Sequence, residues 1–155
     1  MIVDVHVTIN GSRADVWRAM TDIEHAATFT RGIERIEILE TPASGLVGLK
    51  WRETRMLFGK PASADKRITD AVPNESYTTR AEDNGFIFVS TMRLSGRDGD
   101  VTVTSRHDSI PQGWVARLQA IPMALFFKGV ARKALLQDLL DLKAAVETPD
   151  AAPPP

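Results

Sequence analysis

The chain of 155 residues has the size of one ordinary domain. Having no cysteine, it can form no disulfide, thiolate metal site or cysteine nucleophile. Nineteen basic residues against twenty acidic ones give a net charge of −1, a balance from which no non-specific nucleic-acid binding is expected. The three histidines, at 6, 25 and 107, lie far apart in sequence, and neither a metal-ligand spacing nor a cofactor-binding motif occurs. The first residues lack the basic and long apolar regions of a secretory leader. The most apolar window, 121–127, contains Pro122 and falls far short of the roughly 20 apolar residues that cross a bilayer. The expectation is a cytoplasmic protein without membrane insertion.

In residues 2–9, Val3, Val5, Val7 and Ile9 alternate with Asp4, His6 and Thr8, the period of a half-buried strand. Asn10, Gly11 and Ser12 break it, and Ser12 is placed to cap a short amphipathic helix over 13–20. A second short helix or turn follows, from Thr21 to Phe29. Further strands are predicted at 33–40, 46–57, 62–70, 76–82, 86–95 and 101–108. Short turns rich in Gly, Pro, Asn and Asp join them, and Asp83-Asn84-Gly85 is the strongest of these signals. Six strands in succession through such turns make an antiparallel meander. From Met123 to Val146 the apolar positions Phe127, Ala131, Leu135, Leu139, Leu142 and Val146 keep helical spacing, so one long helix closes the chain. Residues 148–155, with four prolines, read as a disordered tail after a single domain at 1–147.

These elements predict an α+β fold, in which a curved seven-stranded antiparallel sheet wraps a long C-terminal helix and two short helices lie between strands one and two. The chain resembles the START-like superfamily, also called SRPBCC, and its polyketide cyclase/dehydrase-like members with the helix-grip fold. The resemblance rests on Val7-Thr8-Ile9-Asn10 followed by Val16-Trp17 and Thr21-Asp22-Ile23-Glu24, on Gly48-Leu49-Lys50-Trp51-Arg52-Glu53-Thr54-Arg55, on Ile68-Thr69-Asp70-Ala71-Val72-Pro73, and on Asp138-Leu139-Leu140-Asp141-Leu142-Lys143. It covers about residues 2–147. It implies an apolar cavity between sheet and helix that carries a small hydrophobic ligand such as a lipid or polyketide, or that cyclises or dehydrates one. At Lys66, where many relatives place an aromatic, this chain departs and changes the polarity expected of the pocket.

Strand phase names the side chains that would face such a cavity. Trp51, Glu53 and Arg55 share one face of the third strand, and Lys66 and Ile68 one face of the fourth. Tyr77 with Thr79 on the fifth strand, and Phe86, Phe88, Ser90 and Met92 on the sixth, are likewise in phase. Val103 shares a face with Ser105 and His107 on the seventh. The long helix would add Met123, Phe126, Phe127 and Val130, and Trp114, in a loop before it, would stand at a portal.

Two roles are open to the polar members. Glu53, with a pKa raised by burial, suits a general acid or base, Arg55 suits a ligand carboxylate or enolate, and His107 or Tyr77 would assist. Alternatively Glu53, Arg55 and Lys66 form an internal ion-pair network, and His107 sits at the sheet rim in solvent. The chain therefore reads first as a module that binds a small hydrophobic or amphipathic ligand. The second reading is a cyclase, aromatase or dehydratase. A third is pairing into a homodimer through the outer face of the sheet or a helix.

Overall fold

The computed structural model describes residues 1–148, the side chains of Met123 and Leu125 excepted. Strand β1 (Ile2–Ile9) buries Val3, Val5, Val7 and Ile9 and exposes the residues between them, as the alternation predicts. It leads into α1 (Arg13–Thr21), whose first turn is closed by a bond from the Asp15 amide to Ser12 Oγ at 3.0 Å. A 3-10 helix, Ile23–Thr28, follows. Six strands come next: β2 (Ile33–Glu40), β3 (Lys50–Leu57), β4 (Lys60–Val72), β5 (Ser76–Asp83), β6 (Phe86–Arg97) and β7 (Asp100–Pro111). They form one antiparallel sheet in the order β1-β7-β6-β5-β4-β3-β2, so β1 pairs only with β7. The 35-residue helix α2 (Gly113–Glu147) completes the described chain. The Pro-rich tail at 149–155 and the side chain of Met123 lie outside the described residues.

The architecture is the one predicted, but several boundaries move. Strand β3 begins at Lys50 rather than at 46, because Gly48 turns the chain at a φ of +98° and Leu49 bonds back to Leu46 at 3.0 Å. Strands β4, β6 and β7 run past their predicted ends because tight hairpins let pairing continue to the turn. Asn84 and Gly85 both take positive φ, 48° and 80°, the backbone of a type I′ hairpin. Gly96 admits no side chain, since its φ is +86° and a Cβ there would fall 2.3 Å from the Asp100 carbonyl oxygen. The largest shift is in α2, which begins ten residues before the predicted start and carries Pro122 inside it. Trp114 therefore lies in its first turn, not in a loop.

The core gathers the inner faces of β1, β7 and the central strands around Val16 and Met20 of α1 and Leu139 and Leu142 of α2. Only the C-terminal part of α2 takes part in it. At that end Gly11 allows close passage, for a Cβ would meet Val146 Cγ1 at 2.8 Å.

Candidate functional site

Between the concave face of the sheet and α2 lies a cavity of about 440 Å³. Its wall takes alternate residues from five of the strands: Trp51, Glu53 and Arg55 from β3, Ala64 and Lys66 from β4, Tyr77, Thr79 and Ala81 from β5, Phe88, Ser90 and Met92 from β6, Ser105 and His107 from β7. Met20, Ile23, Phe29 and Thr30 close one end, and Ala131, Ala134, Leu135 and Asp138 of α2 form the roof.

The polar groups fall into two clusters. In the first, Glu53 is only 8% exposed, and its Oε2 accepts from Arg55 Nε at 2.7 Å and from Lys66 Nζ at 2.8 Å. The sheet register makes this possible. Ala64 stands opposite Glu53 and leaves space, so Lys66, opposite Trp51, reaches diagonally across. Arg55 turns its other nitrogens to α2, where Nη2 and Nη1 donate to Asp138 Oδ2 and Oδ1 at 2.8 and 3.2 Å. Gly32 clears the path of this fork, because a Cβ there would lie 2.8 Å from Arg55 Nη1. Two cations and two carboxylates thus balance to zero charge.

Burial alone would push the Glu53 carboxyl up, but Lys66 and then Arg55 outweigh it and hold the pKa at about 2. This corrects the expectation of a raised Glu53: it stays ionised and is a weak base. Burial works against the charge on Arg55, yet Asp138 and Glu53 raise its pKa. Burial pushes the Asp138 carboxyl up, against the pull of Arg55.

The second cluster joins β6 and β7. Ser90 Oγ lies 2.8 Å from His107 Nδ1, and the imidazole stacks on Phe88 with centroids 5.8 Å apart. Burial, then the charge of Lys66, lowers the His107 pKa, so the ring is neutral at pH 7. His107 is half-buried in the wall of the cavity rather than in solvent at the rim. Tyr77 differs from its expected role. Its hydroxyl donates to the Met20 carbonyl at 3.1 Å, and burial raises its pKa, which makes it a tether for the end of α1. The Trp51 indole N–H is buried with no acceptor among the described residues.

Of the predicted wall, Trp51, Glu53, Arg55, Lys66, Tyr77, Thr79, Phe88, Ser90, Met92 and His107 come together around the cavity. Ile68 and Val103 belong instead to the packed core, and Phe86 stacks on Phe88 without reaching the wall. Trp114, Phe126, Phe127 and Val130 are exposed on α2, with Phe127 against Phe58. Asp138 is the site residue that strand phase could not supply. Its signal is an acid on the helix face of Leu135 and Leu142, three residues from one and four from the other.

A protein from Thermus thermophilus superposes with a TM-score of 0.80 at 11% identity, over 97% of this chain and 100% of its own. A START superfamily protein from Mycobacterium smegmatis matches with a TM-score of 0.74 at 17% identity, over 94% of this chain and 97% of that one. The Zhui aromatase/cyclase from a Streptomyces species gives 0.69 at 16% identity, over 98% and 99%. At such identities these likenesses show the helix-grip fold alone. No curated protein matches the chain by sequence. The family described as polyketide cyclase / dehydrase and lipid transport matches residues 1–147, nearly all of the described chain, and the protein belongs to that family.

Proposed function

We propose that the protein binds an apolar or amphipathic small molecule of no net charge, with its polar end at the Glu53 cluster and its body along Trp51, Phe88, Met92 and Leu135. The observation that carries this is the charge balance. In a cavity within the usual size range of small-molecule sites, roughly 300–1,000 Å³, Glu53 and Asp138 neutralise Arg55 and Lys66. A charged ligand would leave one group uncompensated, whereas a hydroxyl or carbonyl can bond at the edge of the cluster. Displacement of the neutral dye Nile red tests it. A long-chain alcohol should displace the dye at roughly ten-fold lower concentration than the matching carboxylate, a difference of about 1.4 kcal/mol. Ala131→Phe, which fills the roof, should abolish dye binding. Equal displacement by alcohol and carboxylate, or an undiminished Ala131→Phe, overturns the proposal.

The second reading is a cyclase or dehydratase, and the neutral His107 favours it. In that reading Nδ1–H donates to Ser90, and Nε2 takes a proton from a carbon next to a ligand carbonyl. Glu53, held down at about 2, serves to position Lys66 and Arg55 rather than to accept that proton. His107→Gln should then lower turnover of a poly-β-carbonyl substrate by about 10²-fold or more while leaving Nile red binding unchanged. Unchanged turnover by His107→Gln ends this reading.

A further inference from the structure

The N-terminal half of α2 is turned inside out. Ala116 is buried and Ala120 and Ala124 are half-buried, so small residues face the body of the protein. Large apolar residues among the described side chains face outward: Trp114 is 74% exposed and Phe126 75%, and Leu118, Ile121 and Val130 are exposed as well. Large apolar side chains left in solvent side by side mark a surface that meets a partner or a membrane. The hairpin between β3 and β4 extends the surface. At its tip Phe58 is 77% exposed, takes a φ of +51° that is unusual for a bulky residue, and packs edge-on against Phe127. Leu57 beside it is exposed and also lines the cavity, so the surface is continuous with the cavity wall.

Charge says what this surface fits. Residues 113–137 carry Arg117, Lys128, Arg132 and Lys133 and no acidic residue, in a chain whose net charge is −1. None of the four forms an ion pair among the described residues. Exposed aromatic and aliphatic side chains interspersed with cations are what a helix needs to lie in the headgroup region of an anionic bilayer. A second copy fits poorly, because pairing about a two-fold axis would set the same four cations against themselves. No described helix is long and apolar enough to cross a membrane.

We infer that the outward face of 114–133, with the Phe58 hairpin, is a docking surface for anionic lipid membranes, on which the protein lies peripherally. The inference is independent of what the cavity holds.

The test uses the full chain without added ligand and two kinds of vesicle, phosphatidylcholine alone and phosphatidylcholine with phosphatidylserine. The protein should sediment with the anionic vesicles at low salt and come off as salt is raised. Its tryptophan emission should move to the blue, and Trp114→Phe should remove that shift. Lys128→Gln with Lys133→Gln should weaken partitioning roughly twenty-five-fold, given about five-fold for each cation. Leu118→Ser with Ile121→Ser should abolish it without altering thermal unfolding, since both side chains are exposed. Ala131→Phe should still bind vesicles, which separates failure of the docking surface from failure of the cavity. No sedimentation with anionic vesicles, equal binding by the charge variant, or a vesicle-free dimer that Leu118→Ser with Ile121→Ser dissolves would overturn the inference.

Discussion

Glu53→Ala lowers the folding stability by about 3 kcal/mol, which for a chain of this length lowers Tm by roughly 6–12 °C. The carboxylate is buried and answers two cations through one oxygen. Without it, among the described residues, Lys66 keeps no acidic partner and Arg55 keeps only Asp138. Urea denaturation at pH 7 measures the loss. The pH dependence gives a second reading of the same bonds. Unfolded, the carboxyl takes its proton near 4.5; folded, it holds off until about 2. Between those values the unfolded chain binds more protons, so this contribution is complete above about 4.5 and is lost as the pH falls toward 2. Asp138, whose pKa is raised, acts in the opposite direction. Glu53→Gln should flatten stability against pH across that window; a wild-type slope retained by Glu53→Gln would place the acid-sensitive group elsewhere.

Leu139→Ala is expected to cost about 3 kcal/mol, while Leu118→Ala on the same helix costs almost nothing. Leu139 is 1% exposed and part of the core, whereas Leu118 projects from the surface. The Arg55–Asp138 fork lies one residue from Leu139 and ties the same stretch of helix to β3. Losing Leu139 thus loosens the roof of the cavity where it is best anchored. Thermal unfolding of the two variants side by side measures the contrast, and equal losses would mean that both halves of α2 are packed alike.

The sheet can be read closely from the chain because its signal is local. The alternation of Val3, Val5, Val7 and Ile9 says which face is in, and strand phase puts Trp51, Glu53 and Arg55 on one side of β3 as the structure has them. The register that sets Ala64 opposite Glu53, and so brings Lys66 to it, depends on pairing between strands and is not written in either strand alone. The long helix misleads for a physical reason. Apolar side chains are expected inside, which assigns Phe126, Phe127 and Val130 to the wall. A helix with apolar residues on more than one side does not say which side turns inward, and over the open volume it is Ala131 and Ala134 that do. The pKa of Glu53 escapes a sequence reading because sequence suggests burial, whereas the two cations on one oxygen are a matter of geometry.

The pairing of β1 with β7 also governs how the chain is made. Ile2 finds its partner in Asp108 and Ile9 in Val101, so β1 has no sheet neighbour until some hundred residues later. At about 5–20 residues per second on the ribosome, that is a delay of roughly 5–20 s. Contacts so distant in sequence also slow the folding search itself. During that interval a strand of alternating valines is without its ladder, and Asp4 and His6 between them are the polar groups that limit its pairing with the wrong edge. In the meander from β2 onward each strand has its next partner one turn away, whereas β1 must wait for β7 before it can join the sheet.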